Sequence, residues 1–440
     1  MAASGPIHVI GAGLAGSQAA LTIARLGGRV VLHEMRPVKQ TAAHRTGMAA
    51  ELVCSNSLRS DQPYSTPWLL KQELRMLGCE VLAIATETAI PGGSSLTVDR
   101  DLFSHRVTQA LAASPAIQIR CEEVDAIPPD SVCVIATGPL TGDALAHALQ
   151  MLTGEENLSF YDALNPIVEG DSIDRTKTFA AARYVDGADD FLNCPLTRED
   201  YLRFHAALVT ADSYEGHDFD ACNFLGCPPL EKLARSGVDT LRYGPMRPVG
   251  LPDPSTGREA YAVVQLRREN LRSDSFNIVG FQNQLKWSEQ QRVFRLIPGL
   301  EAVEFVRFGQ MHRNTYLRAP RLVTPALNLR KHPDVFVAGQ LCGVEGYVES
   351  IATGLIAGLN AWRRSIDRPL AVFPRACGLG SICHYLAHAD AAEFAPVRLT
   401  FDLLPAAEGI RQRQARRERQ CLRALDALTA LVNPFQSDAA

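Results

Sequence analysis

The sequence lacks several features that would assign it to a special class of protein. No stretch approaches the roughly 18 consecutive apolar residues of a membrane-spanning helix. Lys plus Arg number 44 and Asp plus Glu number 48, which gives a net charge of -4 and no overall basic excess. A local basic face remains compatible with this balance, because affinity for phosphate depends on where charges lie. No segment repeats at a fixed period, which excludes repeat and coiled-coil architectures.

The chain also lacks the signs of a secreted protein. Its first residues show no basic region followed by an apolar run and a cleavage site, so no signal peptide is predicted. The eleven cysteines are odd in number and scattered from Cys54 to Cys421. This pattern favours free thiols and a cytoplasmic location over a disulfide framework. The 440 residues are 46% hydrophobic and 21% charged, which predicts a folded chain of two or three domains with most cysteines buried.

The first 35 residues predict a βαβ unit. An apolar strand is predicted at 7–10, a helix at 17–26 and a second strand at 29–34. The turn after the first strand contains Gly11, Gly13 and Gly16 in the spacing GxGxxG. These glycines provide a tight turn, close approach of the backbone to a pyrophosphate, and close packing of helix on strand.

The acidic residue at the end of the second strand supports a dinucleotide site. Glu34 is placed to accept the ribose hydroxyls of an adenosine, and its charge disfavours a 2′-phosphate. The N-terminus of the following helix offers unpaired N–H groups to the phosphates. The unit therefore predicts a bound dinucleotide.

Two later motifs favour FAD over NAD as that dinucleotide. Val134–Gly138 is an apolar strand that enters a small-residue turn, and Val337–Gln340 leads to a loop and helix over 343–361. Their order is that of two-dinucleotide-fold flavoproteins, and no second GxGxxG is placed to hold NAD(P)H firmly. The predicted cofactor-binding residues are Gly11, Ala12, Gly13, Leu14, Ala15, Gly16, Glu34, Ala136, Thr137, Gly138, Gly339, Gln340, Gly343, Gly346, Ser350, Thr353 and Gly354.

The remaining segments predict an α/β protein with a Rossmann-type FAD-binding domain and an inserted mixed α+β domain. We assign 1–92, 114–165 and 299–440 to the FAD-binding domain, and 93–113 and 166–298 to the insertion. Helices are predicted at 68–78, 99–113 and 411–431. The last of these is rich in arginine, which favours a solvated face, with an RNA-facing surface as the alternative.

Three cysteines require separate interpretation. Cys222 and Cys227 have the CxxxxC spacing of a redox disulfide, but they lie far from the first glycine-rich helix, where such a pair is normally found. Cys54 lies in a polar loop and Cys227 in a Gly/Pro turn. Neither has the apolar periodic setting of a core cysteine, so both are candidate reactive thiols, with a structural role as the alternative.

Motifs spread over residues 6–390 resemble the folate- and FAD-dependent tRNA (uracil-5-)-methyltransferase family. They include IHVIGAGLAGSQAA, ELVCSNSLRSD, VIATGPLT, GPMRPVGL, NIVGFQNQLKW and AGQLCGVEGYVESIATGL, in that order. The resemblance implies a GidA-like flavoprotein fold. It also implies methylation of uridine 54 in the T loop of tRNA, with carbon from 5,10-methylenetetrahydrofolate and electrons from reduced FAD that NAD(P)H recharges.

The resemblance also implies roles for individual residues. Cys227 would be the thiolate that adds to carbon 6 of uracil, which makes carbon 5 nucleophilic. Cys54 would be a second functional cysteine that assists removal of the C5 proton or guards the flavin. Tyr347 and His312 would frame the folate and flavin site, with a packed aromatic and a satisfied histidine as the alternatives.

One position departs from the family pattern. The family usually carries a glutamate two residues before the catalytic cysteine, and this chain has Leu225 there. Glu231 would lie near Cys227 if a helix begins at Pro228. No metal site is predicted.

Contact with RNA would depend on local positive charge, with ordinary surface charge as the alternative. Candidate phosphate contacts are Arg45, Arg59, Arg313, Arg318, Arg321, Arg330 and Lys331. Three other functions stay open at this stage: the same chemistry on ribosomal RNA, a flavin disulfide or amine oxidoreductase, and a non-catalytic FAD sensor.

Overall fold

The computed structural model describes residues 5–41, 43–155, 158–185, 188–214, 228–309 and 311–437, with side chains at all of these except 158–163, 311–314 and 432–437. The α-helices of this part of the chain are α1 (Leu14–Arg25), α2 (Thr66–Met76), α3 (Glu80–Glu87), α4 (Arg100–Ala113), α5 (Asp143–Thr153), α6 (Arg198–Val209), α7 (Leu230–Arg235), α8 (Thr240–Tyr243), α9 (Trp287–Phe294), α10 (Ala319–Leu322), α11 (Tyr347–Ser365), α12 (Gly378–His388) and α13 (Arg413–Ser437). The β-strands are β1 (Ile7–Ile10), β2 (Val30–Glu34), β3 (Ser57–Ser60), β4 (Ala89–Ile90), β5 (Ser95–Val98), β6 (Ile117–Cys121), β7 (Cys133–Ile135), β8 (Leu158–Ala163), β9 (Ile167–Glu169), β10 (Phe179–Ala180), β11 (Phe191–Leu196), β12 (Pro252–Asp253), β13 (Arg258–Glu259), β14 (Ala262–Arg268), β15 (Ser275–Ile278), β16 (Phe305–Arg307), β17 (Met311–Tyr316) and β18 (Val335–Val337).

The first of the two larger sheets is five-stranded and parallel. Its strand order is β18-β7-β1-β2-β6, and every neighbouring pair is parallel. The strands β1, β2, β7 and β18 are almost wholly buried, as expected for a parallel sheet covered on both faces by helices. The predicted βαβ unit is confirmed, although its helix begins at Leu14, three residues before the predicted start.

Helices α1 and α11 cross in unusually close contact on this sheet. A Cβ added at Gly354 of α11 would lie 2.2 Å from the carbonyl oxygen of Ala15 in α1. A Cβ added at Gly16 would lie 1.7 Å from the carbonyl oxygen of Gly11. Since both contacts are with backbone atoms, a side chain at Gly354 would push α11 away from α1, and one at Gly16 would push the glycine-rich turn away from α1.

The second of the two larger sheets is six-stranded and antiparallel. Its order is β10-β11-β14-β15-β9-β16, and its apolar face packs with helices α6, α7 and α9 in a second core. Antiparallel pairing joins β11 to β14 and β14 to β15. The predicted mixed and partly antiparallel region therefore contains most of this sheet and its own core, together with the short two-stranded sheet β12-β13.

The packing differs from the predicted division of the chain in two places. Residues 93–113 were assigned to the insertion, but Phe103, Val107 and Leu111 of α4 lie in the first core together with Val98 of β5. Conversely, the second sheet and core extend past 298 to include β16. The apolar stripe on α4 was recognised in the sequence, but its spacing does not indicate which core it faces.

Most cysteines of the described residues are buried, as predicted. Seven of these nine are buried, Cys54 is half-buried and Cys121 is exposed. Burial raises the pKa of the Cys133 and Cys342 thiols to about 12, so these residues are protonated and unreactive. Cys222 and Cys227 lie outside the described residues.

No helix within the described ranges is both long and apolar enough to cross a bilayer.

Candidate functional site

A cleft opens at the carboxyl ends of the parallel strands, where ligands bind in folds of this kind. The first wall of the cleft is the glycine-rich turn between β1 and α1. Gly11 has a φ of +97°, and a Cβ there would lie 2.7 Å from the carbonyl oxygen of Ala136. A Cβ at Gly13 would meet no atom within 4 Å, so the backbone here is open to a ligand. The turn thus provides open space at the N-terminus of α1, which suits a pyrophosphate.

Glu34 lies in the same cleft with its carboxylate held in place. It accepts hydrogen bonds from the backbone nitrogen of Ala12 at 2.8 Å and from Arg36 Nε at 2.8 Å. Burial alone would raise the pKa of Glu34, but the hydrogen bonds and charge of Arg36 outweigh it and hold the pKa below its usual value. Glu34 is therefore an ionised acceptor, as recognition of ribose hydroxyls requires.

The turns that follow β7 and β18 form the other walls. Predicted residues that line the cleft are Gly11, Gly13, Leu14, Ala15, Glu34, Ala136, Thr137, Gly138, Gly339, Gln340, Tyr347 and Ser350. These residues come from four separate segments of the chain, and the fold brings them together.

The other predicted cofactor residues lie outside the lining of the cleft and support the residues that form it. They are Ala12, Gly16, Gly343, Gly346, Thr353 and Gly354, none of which is among the residues that line it. Thr353 Oγ1 accepts a hydrogen bond from the backbone nitrogen of Gly339 at 2.9 Å, and so fixes the turn after β18. Gly343 has a φ of +94° and faces the ring of Phe394, where a Cβ would lie 2.5 Å from the ring edge.

Sequence reasoning missed a buried arginine beside the adenosine end of the cleft. Arg36 is 2% exposed and makes ion pairs with Glu34 at 2.8 Å and with Glu51 at 3.3 Å. Glu51 also accepts hydrogen bonds from the backbone nitrogens of Arg45 and Thr46. The polar stretch after β2 is thus anchored at the cleft. Its density of charged residues was the one feature of the sequence that could have indicated this arginine.

Cys54 lies at the far end of this stretch, next to the start of α11. Its backbone nitrogen donates to the phenolic oxygen of Tyr347 at 2.9 Å. Its carbonyl oxygen accepts from Arg100 Nη2 at 3.3 Å and from Arg307 Nη2 at 3.1 Å. The fold therefore places two predicted site residues, Cys54 and Tyr347, in direct contact, and it adds two arginines that the sequence did not indicate.

These arginines belong to a buried group with excess positive charge. We call it the arginine cluster, and it consists of Arg100, Arg267 and Arg307 together with one carboxylate, that of Glu269. Arg100 Nε pairs with Glu269 Oε2 at 2.5 Å. Burial lowers the pKa of Arg307 to about 10, and it also lowers the pKa of Arg267. Arg267 is 8% exposed, and its Nε has no hydrogen-bond partner among the described residues.

Buried cations without a matching anion are costly. Three guanidinium groups against one carboxylate leave an excess of positive charge at the Cys54 backbone. Such surroundings lower the pKa of a nearby thiol and stabilise its thiolate. The arginine cluster therefore identifies the Cys54 end of the cleft as a site for an anion.

The predicted nucleophile Cys227 lies outside the described residues, as do Cys222 and Leu225, but the chain on both sides is described. The backbone nitrogen of Tyr214 donates to the carbonyl oxygen of Gln284 at 2.9 Å. On the other side, Gln282 Nε2 donates to the carbonyl oxygen of Pro228 at 3.3 Å. Both flanks are thus anchored on one short stretch, residues 282–285.

The alternative acid named from the sequence, Glu231, is buried at the start of α7. Its Oε1 accepts a hydrogen bond from the backbone nitrogen of Gln284 at 3.0 Å, while its Oε2 has no partner among the described residues. Burial raises the pKa of Glu231. The helix begins at Leu230, two residues after the position assumed in the sequence.

The other predicted positions are more dispersed. The side chains of His312 and Arg313 lie outside the described residues, although their strand β17 pairs with β8. Arg321 pairs with Glu155 at 3.1 Å, and Arg318 lies 4.0 Å from the same carboxylate. The Arg330 guanidinium donates to the carbonyl oxygen of Ala387, and Lys331 is exposed.

Comparison with known proteins places this site in a family. Residues 6–369 match the family model described as "Glucose inhibited division protein A". A protein of Solibacter usitatus (strain Ellin6076) named "Methylenetetrahydrofolate--tRNA-(uracil-5-)-methyltransferase TrmFO" is 51% identical over 97% of this chain and 98% of its own. A protein of the same name from Symbiobacterium thermophilum is 53% identical over 96% of each chain.

This chain belongs to the methylenetetrahydrofolate--tRNA-(uracil-5-)-methyltransferase family. The resemblance found in the sequence motifs is thereby confirmed over nearly the whole length of the chain. Among solved structures, Aquifex aeolicus GidA in its form II crystal matches with a TM-score of 0.69 over 98% of this chain and 74% of that chain, at 16% identity. The predicted GidA-like flavoprotein fold is therefore also confirmed.

Family membership explains why the cleft fits FAD. The open backbone at Gly13, the ionised Glu34 and the turns after β7 and β18 meet the needs of a dinucleotide at its phosphate and ribose groups. Cys54 contacts this cleft through Tyr347, which is one of its lining residues.

Proposed function

We propose that this protein methylates carbon 5 of uridine 54 in the T loop of tRNA, with 5,10-methylenetetrahydrofolate as carbon donor and NAD(P)H as source of electrons. The observation that carries the proposal is the 51–53% identity, over nearly full length, to proteins named for this reaction. The overall reaction balances as uridine plus methylenetetrahydrofolate plus NAD(P)H plus a proton, giving 5-methyluridine, tetrahydrofolate and NAD(P)+. A cytoplasmic location remains a prediction.

FAD would occupy the cleft at the carboxyl ends of the parallel strands. Glu34 would accept from the adenosine ribose, and Gly13 with the N-terminus of α1 would receive the pyrophosphate. Gly339, Gln340 and the start of α11 would border the isoalloxazine end. When bound there, FAD supplies the electrons that reduce the transferred carbon to a methyl group. It also supplies a nitrogen that is able to carry that carbon.

Cys227 would be the nucleophile that activates the uracil. Addition of its thiolate to carbon 6 moves electron density to carbon 5, which can then bond to the one-carbon unit. The next residue in the chain, Pro228, is held at its carbonyl oxygen by Gln282 Nε2. The target base must leave its stack to reach it.

Cys54 would remove the C5 proton once the new bond has formed. The arginine cluster at its backbone favours the thiolate, which is the form that accepts a proton. Loss of this proton from carbon 5 and departure of the Cys227 sulfur from carbon 6 restore the aromatic uracil ring. Tyr347 would position Cys54 through its hydrogen bond to the backbone nitrogen, at the border of the flavin cleft.

Cysteine variants test the proposal. Cys227→Ala should abolish formation of 5-methyluridine in tRNA while the visible spectrum of bound flavin is unchanged. Cys54→Ala should reduce it at least tenfold if Cys54 is the base. Cys121→Ala is the matched control, because this cysteine is exposed on β6 and should leave activity unchanged. Full activity of Cys227→Ala would overturn the assignment of the nucleophile.

A further inference from the structure

A basic groove lies apart from the flavin cleft, and the two share no lining residue. It is bounded by α13, by the N-terminus of α2 and by the segment 399–407, and it contains about 880 Å³ of space. Five arginines line it, namely Arg59, Arg375, Arg413, Arg416 and Arg417, against one carboxylate, Asp402. The local excess of positive charge stands out in a chain whose net charge is -4.

The helical spacing on α13 directs its arginines to one side. Arg413, Arg416, Arg417 and Gln420 are three or four residues apart, so they share one face of the helix. Like charges at such spacing destabilise a helix. The arrangement therefore does not serve the stability of α13, and it points to a ligand that carries negative charge.

The groove arginines differ in whether their guanidinium groups already have a partner within the protein. The Arg417 guanidinium lies 5.0 Å from the centre of the Phe401 ring, and Arg59 Nη1 lies 3.4 Å from Glu349 Oε1. Within the described ranges, no acceptor or carboxylate pairs with the side chains of Arg375, Arg413 or Arg416, and all three are exposed. Three guanidinium groups from two different elements are thus available on one groove.

One ion pair links the groove to the helix that borders the proposed catalytic end. Arg59 borders the groove and pairs with Glu349, which lies two residues after Tyr347 in α11. Tyr347 itself lines the flavin cleft and contacts Cys54. The groove and the proposed catalytic end therefore both adjoin the first turn of α11.

We propose that this groove binds the sugar-phosphate backbone of the RNA substrate at a distance from the target uridine. The proposal rests on the proposed function. Arg375, Arg413 and Arg416 contact phosphates through charge. Five arginines against one carboxylate suit the repeated negative charges of a nucleic-acid backbone.

Paired charge variants in α13 and the residues just before it test the groove. The test variant is Arg413→Gln/Arg416→Gln, and the matched control is Arg411→Gln/Arg419→Gln, which removes the same charge from exposed positions that do not line the groove. The dissociation constant for unmodified tRNA is measured against salt concentration. We expect the test variant to lower the slope of log K against log salt by about 1 to 2, as for the loss of one or two phosphate contacts.

Steady-state kinetics separate binding from chemistry. In the test variant the KM for tRNA should rise by about tenfold at 0.1 M salt while kcat and the flavin spectrum are unchanged. The control should stay within about twofold of the unaltered protein. Arg375→Gln, which alters a different element, should change binding in the same direction as the test variant.

Three outcomes overturn the proposal. Equal losses in the test and control variants would show only a general effect of net charge. An unchanged slope in the test variant would exclude phosphate contacts in the groove. A rise in KM for methylenetetrahydrofolate alone would assign the groove to the folate carboxylates. Failure of the proposed function is distinguishable, because the unaltered protein would then bind tRNA in a groove-dependent way without methylating it.

Discussion

The phenolic oxygen of Tyr347 accepts a hydrogen bond from the backbone nitrogen of Cys54 at 2.9 Å, although 293 residues separate them. The contact joins the first residue of α11, which lines the flavin cleft, to the polar loop that carries a candidate reactive thiol. Burial raises the pKa of Tyr347, so the phenol stays protonated and neutral at physiological pH. Through this bond, the position of Cys54 depends on the same helix that borders the cofactor.

Removal of the Tyr347 hydroxyl should displace Cys54. In Tyr347→Phe the Cys54 amide loses its acceptor, which costs about 1 kcal/mol of stability. We expect kcat for tRNA methylation to fall by about tenfold while the KM for tRNA is unchanged. Tyr385→Phe is the control, because its hydroxyl bonds the carbonyl oxygen of Ala395 away from the cleft. Equal losses of activity in both variants would contradict a positioning role.

The arginine cluster should control the reactivity of the Cys54 thiol. In a Cys227→Ala background, Arg267→Met should shift the pH midpoint for alkylation of Cys54 upward by about one unit, since a buried positive charge is lost. Peptide mapping by mass spectrometry identifies the alkylated cysteine. Arg268→Met is the control, because the adjacent Arg268 lies 3.6 Å from Asp189 near the surface. An unchanged midpoint in Arg267→Met would remove the support for a Cys54 thiolate.

Loss of the Glu34 charge should weaken FAD binding. Glu34→Gln retains the shape of the side chain but leaves the buried Arg36 facing a neutral amide. We expect the dissociation constant for FAD to rise by about 10- to 100-fold, measured by fluorescence titration of the apoprotein. Glu87→Gln, at the exposed end of α3, should bind FAD as the unaltered protein does. Unchanged affinity in Glu34→Gln would show that Glu34 does not contact the ribose.

A buried carboxyl away from the cleft predicts how stability changes with pH. Glu73 of α2 accepts from the backbone nitrogens of Gly378 and Leu379 at the start of α12. Burial raises the pKa of Glu73 to about 8, against an unperturbed 4.5. The native state therefore binds more protons than the unfolded state between these values, and this contribution to stability is lost as the pH rises from about 4.5 to about 8.

The variant Glu73→Gln should remove that dependence. Its melting temperature should be lower at pH 5, because one amide oxygen cannot replace both acceptors, but it should change less between pH 5 and pH 8. Glu408→Gln, on an exposed loop, should follow the unaltered protein at both values. Parallel pH profiles for Glu73→Gln and the control would contradict the raised pKa.

The sequence predicted the parts of the fold that depend on local pattern. The glycine spacing at Gly11–Gly16 and the acidic end of β2 identified the dinucleotide unit, because the backbone geometry of that turn restricts the residues allowed. The resemblance to a family then supplied the reaction. Cys54 and Tyr347 were both named from motifs, and the fold brings them together.

The arginine cluster could not be predicted, because its members come from distant elements. Arg100 begins α4, Arg267 lies on β14 and Arg307 ends β16, and only the packing of β14 and β16 in one sheet places them at the same loop. Each arginine taken alone looks like a surface charge. The core into which α4 packs is hidden from the sequence for a similar reason, since an apolar stripe does not identify its partner.

The most direct test of the central claim follows labelled carbon. The purified protein is given NADPH, labelled methylenetetrahydrofolate and either unmodified tRNA or the same tRNA with cytidine in place of uridine 54, and label in the RNA is counted. The account predicts label in the first tRNA and none in the second. Label in both would contradict the assigned position, and absence of label from both, with flavin bound, would contradict the proposed reaction on tRNA.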